Sequence, residues 1–229
     1  MNKTSFRHFP NTSAITAGIC LLIVVLAANA QETSVADQAS AARVAPNSLD
    51  ENVVGHTVGG DYHNKYLGFE IRHIPGWTSM SRGMMNVNEA VGRDAFGMKP
   101  GANHSGNRVF GMHDEAGSNV IVLIARIPGG EDTDASSVNP RLVRMTKAQL
   151  PNAQVADETV LLDDSSHHFI ALRVNYTAAN REMFQSLQVL PLEGYALSLT
   201  ITAPSAEHLQ EVIQQLQSRL HWIPKKSGQ

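Results

Sequence analysis

Methionine and histidine side chains cluster in one part of the chain, where they could bind a soft metal ion. The candidate ligands are Met80, Met84, Met85, His104 and His113. Thioether and imidazole groups suit Cu(I). Methionine also fills irregular gaps where loops cover a sheet, because its side chain is unbranched and flexible. We favour this second interpretation, so neither a metal nor a cofactor is predicted, and the five residues are the candidates if a metal binds.

Two further groups of polar side chains could also hold a metal. His113-Asp114-Glu115 and His104 offer imidazole and carboxylate ligands, but zinc needs three or four ligands in fixed positions. A solvated acidic turn is the preferred interpretation. His167-His168 is predicted to begin a strand, where neighbouring side chains point to opposite faces and cannot easily share one ion.

The sequence carries no motif of a common enzyme class. It lacks the Gly-x-Ser-x-Gly nucleophile turn, the His-Glu-x-x-His metal motif and the glycine patterns that bind nucleotides. Acid–base catalysis needs two groups within reach of one substrate atom, and no spacing in this chain requires such proximity. The sequence therefore predicts no catalytic residue, and a hydrolase whose residues meet only in the folded chain stays an alternative.

The first thirty residues have the three-part pattern of a secretory signal peptide. Lys3 and Arg7 precede an uncharged apolar run, Ala14–Ala28, and a small-x-small site ends at Ala30. Fifteen residues are short for a membrane-spanning helix, which needs about 20. We predict cleavage between Ala30 and Gln31, a periplasmic or secreted product, and no stable membrane span afterwards.

Charge and cysteine content limit the partners of the mature chain. The whole chain of 229 residues has a net charge of -3, with 18 basic and 21 acidic residues. Loss of Lys3 and Arg7 would leave 16 basic residues and a net charge of -5. Nucleic-acid binding needs a basic face and is not predicted. Cleavage would also remove Cys20, the only cysteine, and with it any disulfide or thiol chemistry.

The rest of the chain is predicted to form a linker and one domain. Residues 31–60 lack aromatic residues apart from histidine and any sustained apolar period, so we expect a disordered linker. The domain is expected over residues 61–224, followed by a polar tail at 225–229. Asn139-Pro140 predicts a helix start, and a terminal helix is capped by Ser205. Strands are predicted at 108–113, 120–127, 155–162, 167–176, 183–190 and 195–203, and the apolar stripe of the last helix is Leu209, Val212, Ile213, Leu216 and Leu220.

The opening of the domain, Tyr62 to Trp77, resembles the PsbP/Mog1-like domains. These begin with a Tyr or Asn, an L/F-G-F strand and a Pro-x-Gly-Trp turn, and here the turn is Pro75-Gly76-Trp77 without the spacer. The resemblance implies an α+β fold: an α/β/α sandwich with a central antiparallel sheet and the C-terminal amphipathic helix on it. Phe69 and Trp77 are expected in the core. The resemblance implies no reaction, and the partners of its photosynthetic and nuclear-transport members do not follow from this sequence.

The function that these observations favour is an exported, non-enzymatic binding or accessory module. It would act through contacts with another envelope or secreted protein, by presenting a sheet face or a loop surface. The first alternative is a periplasmic metal- or small-ligand-binding protein that uses the Met- and His-containing loops at residues 80–115. The second alternative is the hydrolase described above.

Overall fold

The computed structural model describes residues 49, 51–85, 106–127, 135–157, 162, 166–178 and 180–224. The predicted signal peptide with its cleavage position at Ala30 and Gln31, His104 and the tail at 225–229 lie outside the described residues. Among the helices that are described, none combines the length and the apolar character that a membrane crossing requires.

A seven-stranded antiparallel sheet forms the centre of the fold. Its strand order is β4-β5-β6-β10-β9-β8-β7, and a second sheet has the order β1-β2-β3-β11. In chain order the elements are α1 (Glu51–Val54), β1 (His56–Val58), β2 (Asp61–Asn64), β3 (Phe69–Ile71), β4 (Thr78–Ser79), β5 (Gly106–His113), β6 (Asn119–Arg126), α2 (Ala135–Gln149), β7 (Gln154–Asp157), β8 (Ile170–Ala178), β9 (Arg181–Leu192), β10 (Tyr195–Ala203), α3 (Ala206–Gln217) and β11 (Leu220–Trp222).

The two faces of the large sheet are covered by different helices. Strand β10 lies between β6 and β9, and its side chains alternate between the faces. Leu197, Leu199 and Ile201 pack against α3 and the small sheet in the main core. Ala196 belongs to the cluster on the opposite face, where Leu142 of α2 is buried. The predicted α+β sandwich is therefore confirmed, with the terminal helix lying on the sheet and with a small second sheet that was not predicted.

The terminal helix α3 follows its sequence pattern closely. Ser205 caps it, and the Ser205 hydroxyl accepts a hydrogen bond from the His208 amide at 3.1 Å. Its four core-facing residues are fully buried: Leu209, Val212, Ile213 and Leu216. Leu220 was predicted to continue this stripe, but the helix ends at Gln217 and Leu220 begins β11. Leu220 leaves the helical stripe because it pairs with Ile71 of β3.

The small sheet begins inside the segment that was predicted to be a linker. Residues 51–60 form α1, β1 and the turn that follows, and β1 pairs with β2 through residues such as Thr57 and Tyr62. Val53 is 1% exposed and belongs to the main core. The linker prediction is therefore wrong for these residues. One buried valine and a short strand are too brief to produce a recognisable period in the sequence.

The predicted core anchors lie where the opening motif places them. Phe69 is fully buried and Trp77 is 8% exposed. The Trp77 amide donates to the Ile74 carbonyl at 3.0 Å, so Pro75-Gly76 forms a tight turn. Gly76 has φ +82°, a value that favours glycine. The missing spacer therefore does not prevent the turn.

Two predicted element boundaries differ from the structure. Helix α2 begins at Ala135, not at Asn139-Pro140, and Pro140 lies inside it. The side-chain nitrogen Nδ2 of Asn139 donates to Asp157 Oδ1 at 3.0 Å, so the Asn139 side chain links α2 to β7. His167-His168 do not begin a strand, because β8 starts only at Ile170. The argument that neighbouring side chains on one strand point to opposite faces therefore does not apply to these two histidines.

Candidate functional site

Two of the three methionines among the candidate metal ligands are core residues. Met80 is 9% exposed and Met85 is 2% exposed, and both pack against Ile121 and Leu123. Both sulfur atoms lie close to Gly111: a Cβ there would lie 2.9 Å from Met85 Sδ and 3.2 Å from Met80 Sδ. The two side chains thus fill the space that the absent side chain of Gly111 leaves, which is the gap-filling role.

Met84 and His113 are more exposed than these two methionines. Met84 is 36% exposed. One ring nitrogen of His113, Nδ1, lies 3.3 Å from the Asp114 carbonyl oxygen. His104 lies outside the described residues. A group of three His, Cys, Asp or Glu side chains arranged for a metal ion is not found among the residues that the structure describes.

Aromatic side chains form an exposed patch where the small sheet meets the β9–β10 turn. We define the aromatic patch as Tyr66, His167, Tyr195, Trp222 and Ile223. Tyr66 is 43% exposed, and its ring lies edge-on to Tyr195 with centroids 5.8 Å apart. Ile223 is 37% exposed. Its amide donates to the Gly68 carbonyl at 2.8 Å, which holds it beside the β2–β3 turn that carries Tyr66.

Trp222 anchors the patch to the core. Its indole ring lies near the rings of Phe69 and Phe169, at centroid distances of 5.8 and 6.4 Å. The His167 imidazole stacks on the indole at 3.6 Å with an interplanar angle of 7°. The rings are therefore fixed by neighbours, and both His167 and Trp222 stay half-buried. Such a surface can bind an apolar partner with little loss of rotamer freedom.

A histidine with two carboxylate partners connects α3 to the β5–β6 turn. His208 Nε2 lies 2.9 Å from Asp114 Oδ2, and His208 Nδ1 lies 2.9 Å from Glu211 Oε2. Asp114 also accepts from the Ser118 amide at 2.7 Å, which orders the turn. Only the protonated ring can donate from both nitrogens, and the hydrogen bonds to Asp114 and Glu211 raise the pKa of His208. Asp114 was predicted to lie in a solvated turn, but its carboxylate is 13% exposed and pairs with a histidine 94 residues away.

This bridge should make stability depend on pH. Because the folded pKa of His208 lies above its usual value of 6.5, the bridge contributes fully below pH 6.5 and loses its effect as pH rises through the folded value. We expect His208→Gln to lower the free energy of unfolding by about 1 kcal/mol at low pH and by less at high pH. Urea unfolding across pH measures this, and His221→Gln is the control. An equal loss at every pH would contradict the bridge.

Sequence reasoning did not find the aromatic patch or the histidine bridge. Tyr66 and Trp222 occur singly and are far apart in sequence, so no spacing indicates that they meet. Trp222 follows the predicted terminal helix, and the pairing of β11 with β3 is what brings it beside Phe69. The only signal of the patch in the sequence was Trp222, a large aromatic residue shortly before the polar C-terminal tail.

Comparisons with known proteins find similarity at the level of the fold. No family model and no curated protein matches the chain. The cyanobacterial PsbP (CyanoP) of Synechocystis sp. PCC 6803 is 14% identical, with a TM-score of 0.47, and the match covers 73% of this chain and 98% of that chain. LpqN of Mycobacterium tuberculosis, which is involved in cell envelope biogenesis, is 12% identical with a TM-score of 0.42, and the match covers 68% and 83%. PA94 of Pseudomonas aeruginosa, a protein of unknown function, is 16% identical with a TM-score of 0.36, and the match covers 48% and 75%.

Proposed function

We propose that this protein is an exported accessory module that binds another protein of the cell envelope through its aromatic patch and catalyses no reaction itself. The patch carries the proposal, because it is an apolar surface with fixed rings in water. The N-terminal pattern that ends at Ala30 supports export, since it has the charged start, apolar centre and cleavage site of a secretory signal.

The composition of the patch suits a protein interface. Tyrosine and tryptophan are enriched at the centres of interfaces, where they supply most of the binding energy. Tyr66 and Ile223 keep more than a third of their surface in water, so a partner could bury additional apolar area there. Each 1.4 kcal/mol from such burial is about a tenfold gain in affinity.

Charge around the patch favours a different protein over a second copy. Lys65 adjoins Tyr66 and is exposed like it. A symmetric contact centred on Tyr66 would bring Lys65 close to the Lys65 of the other copy, which costs energy. We therefore infer a partner with an apolar centre and an acidic rim.

Site-specific photo-crosslinking in cells tests the proposal. The full chain with its N-terminal sequence is expressed with a photoreactive aromatic amino acid at Tyr66, and in a matched control at Gln154, an exposed residue on the edge strand β7. We expect one dominant envelope-protein adduct from position 66 alone, on a chain that begins at Gln31. Adducts of equal yield from both positions, a homodimer adduct, or a product that retains Met1 would contradict the proposal.

A further inference from the structure

Three histidines and one glutamate form a row across the face of the small sheet that points away from the core. His56 pairs with His63, and both His63 and His221 pair with Glu70, so the row crosses all four strands in the order β1-β2-β3-β11. We propose that this row binds a zinc ion, with His63, Glu70 and His221 as the protein ligands. This inference goes beyond the protein contact proposed above and does not depend on it.

The pleat of the strands keeps the row accessible to water. Phe69 and Ile71, the neighbours of Glu70 on β3, are fully buried in the core. Successive side chains of a strand point to opposite faces, so the Glu70 side chain lies on the other face of the sheet. It is 18% exposed, the His63 side chain is 28% exposed, and His221 is half-buried. A metal ion can therefore reach these groups without opening the core.

Two of the three donor atoms already have the spacing of zinc ligands. His63 Nδ1 lies 3.3 Å from Glu70 Oε2, which is longer than the about 2.7–2.9 Å of a charge-assisted hydrogen bond. Zinc binds imidazole nitrogen and carboxylate oxygen at about 2.0–2.2 Å, so two such ligands at the tetrahedral angle lie about 3.3–3.5 Å apart. A zinc ion between these two atoms would therefore need little movement of either side chain.

Neighbouring side chains hold both groups in this orientation. Glu70 Oε1 accepts a hydrogen bond from Arg72 Nε at 3.0 Å, while the other oxygen, Oε2, lies beside His63. The His56 imidazole stacks on that of His63, with centroids 5.6 Å apart and an interplanar angle of 30°. Hydrogen bonds to a ligating carboxylate fix its orientation in metal sites. The positive charge of Arg72 opposes a cation, so we expect micromolar affinity, weaker than that of a structural zinc site.

His221 supplies the third ligand from the other side of Glu70. Its Cα lies opposite that of Glu70, and directly opposite residues have Cβ atoms about 4.5–5.5 Å apart. Among the described residues, three such donors do not already converge on one point, so the His221 ring has to rotate about its side-chain torsions when the ion binds. Two histidines and one carboxylate are a known zinc ligand set, with water in the fourth position.

Calorimetry with zinc chloride tests the assignment on the purified mature chain without a histidine tag. We expect one zinc ion per chain, no binding of Mg²⁺, which prefers oxygen ligands, and at least about tenfold weaker zinc binding in both His63→Gln and His221→Gln. His168→Gln changes an exposed histidine outside the small sheet, so it is the matched control and should bind normally. No zinc binding, unchanged affinity in either variant of the row, or an equal loss in the control would overturn the proposal.

Thermal unfolding separates the loss of the ion from a folding defect in a variant. Zinc should raise the melting temperature of the unchanged chain and of His168→Gln, because the ion joins β2, β3 and β11 only in the folded state. The same zinc concentration should leave the melting temperature of His63→Gln where it stands without zinc. An equal rise in His63→Gln would place the ion elsewhere on the chain and contradict the proposal. Tyr66→Ser should leave zinc binding unchanged and His63→Gln should leave crosslinking at position 66 unchanged, so the two proposals can fail separately.

Discussion

Replacing Asn64 with alanine is expected to lower the free energy of unfolding by about 3–5 kcal/mol. Asn64 is fully buried, and its amide nitrogen donates to the Val53 carbonyl at 2.8 Å and to the Tyr62 hydroxyl at 3.1 Å. Its oxygen accepts from the Leu67 amide at 2.8 Å. The variant would leave the Val53 carbonyl and the Leu67 amide without these partners in a buried place, and each such loss costs about 1–3 kcal/mol.

Urea unfolding of the purified protein measures this loss. In thermal unfolding, where each kcal/mol corresponds to about 2–4 °C, the same loss should lower the melting temperature by roughly 10 °C. Asn152→Ala, at an exposed turn position after α2, is the control and should change stability little. Tyr62→Phe should cost less, about 1–2 kcal/mol, because only the hydroxyl contacts to Val54 and Asn64 are lost. A loss below about 1 kcal/mol in Asn64→Ala would show that α1 is not held in this way.

Gly55→Ala is expected to cost more than about 3 kcal/mol. Gly55 has φ +69°, and a Cβ atom there would lie 2.6 Å from the His63 carbonyl oxygen and 2.8 Å from the Tyr62 hydroxyl oxygen. The left-handed conformation alone costs about 1–2 kcal/mol for a residue with a Cβ. The contact with a backbone atom adds to this, because the β1–β2 pair would have to separate locally.

Gly59 supplies a matched control for this substitution. It has φ +61°, and no atom lies within 4 Å of the position that its Cβ would occupy. Gly59→Ala should therefore show the conformational cost alone, about 1–2 kcal/mol. Chemical unfolding of both variants separates the two effects. Equal losses in Gly55→Ala and Gly59→Ala would contradict the close packing at Gly55.

Elements with a strong period could be predicted from the sequence. The stripe from Leu209 to Leu216 predicts α3, because four apolar residues at helical spacing need a common surface to cover them. Alternation predicts β10 at its observed bounds, Tyr195–Ala203. Alternation does not show that both faces are covered: Thr200 and Thr202 are fully buried, and Thr202 accepts from Gln185 at 3.0 Å.

The candidate sites could not be predicted because they depend on contacts between distant segments. The aromatic patch combines residues near 66, 167, 195 and 222, and none of these segments carries a recognisable binding motif. Asn64 gives no sign in the sequence that its side chain is buried. The clustering of methionines was visible, but their role follows from the absent side chain of Gly111, which the pairing of β4 with β5 places beside Met80.

The most direct test of the proposed function is the affinity of the purified mature protein for the partner that crosslinks at position 66. We predict that Tyr66→Ser weakens this affinity at least about tenfold, because it removes an exposed anchor ring, while Gln154→Ser leaves it unchanged. Both substitutions lie at exposed positions, so both variants should remain folded. If Tyr66→Ser binds the partner as tightly as the unchanged chain, the aromatic patch is not the binding surface.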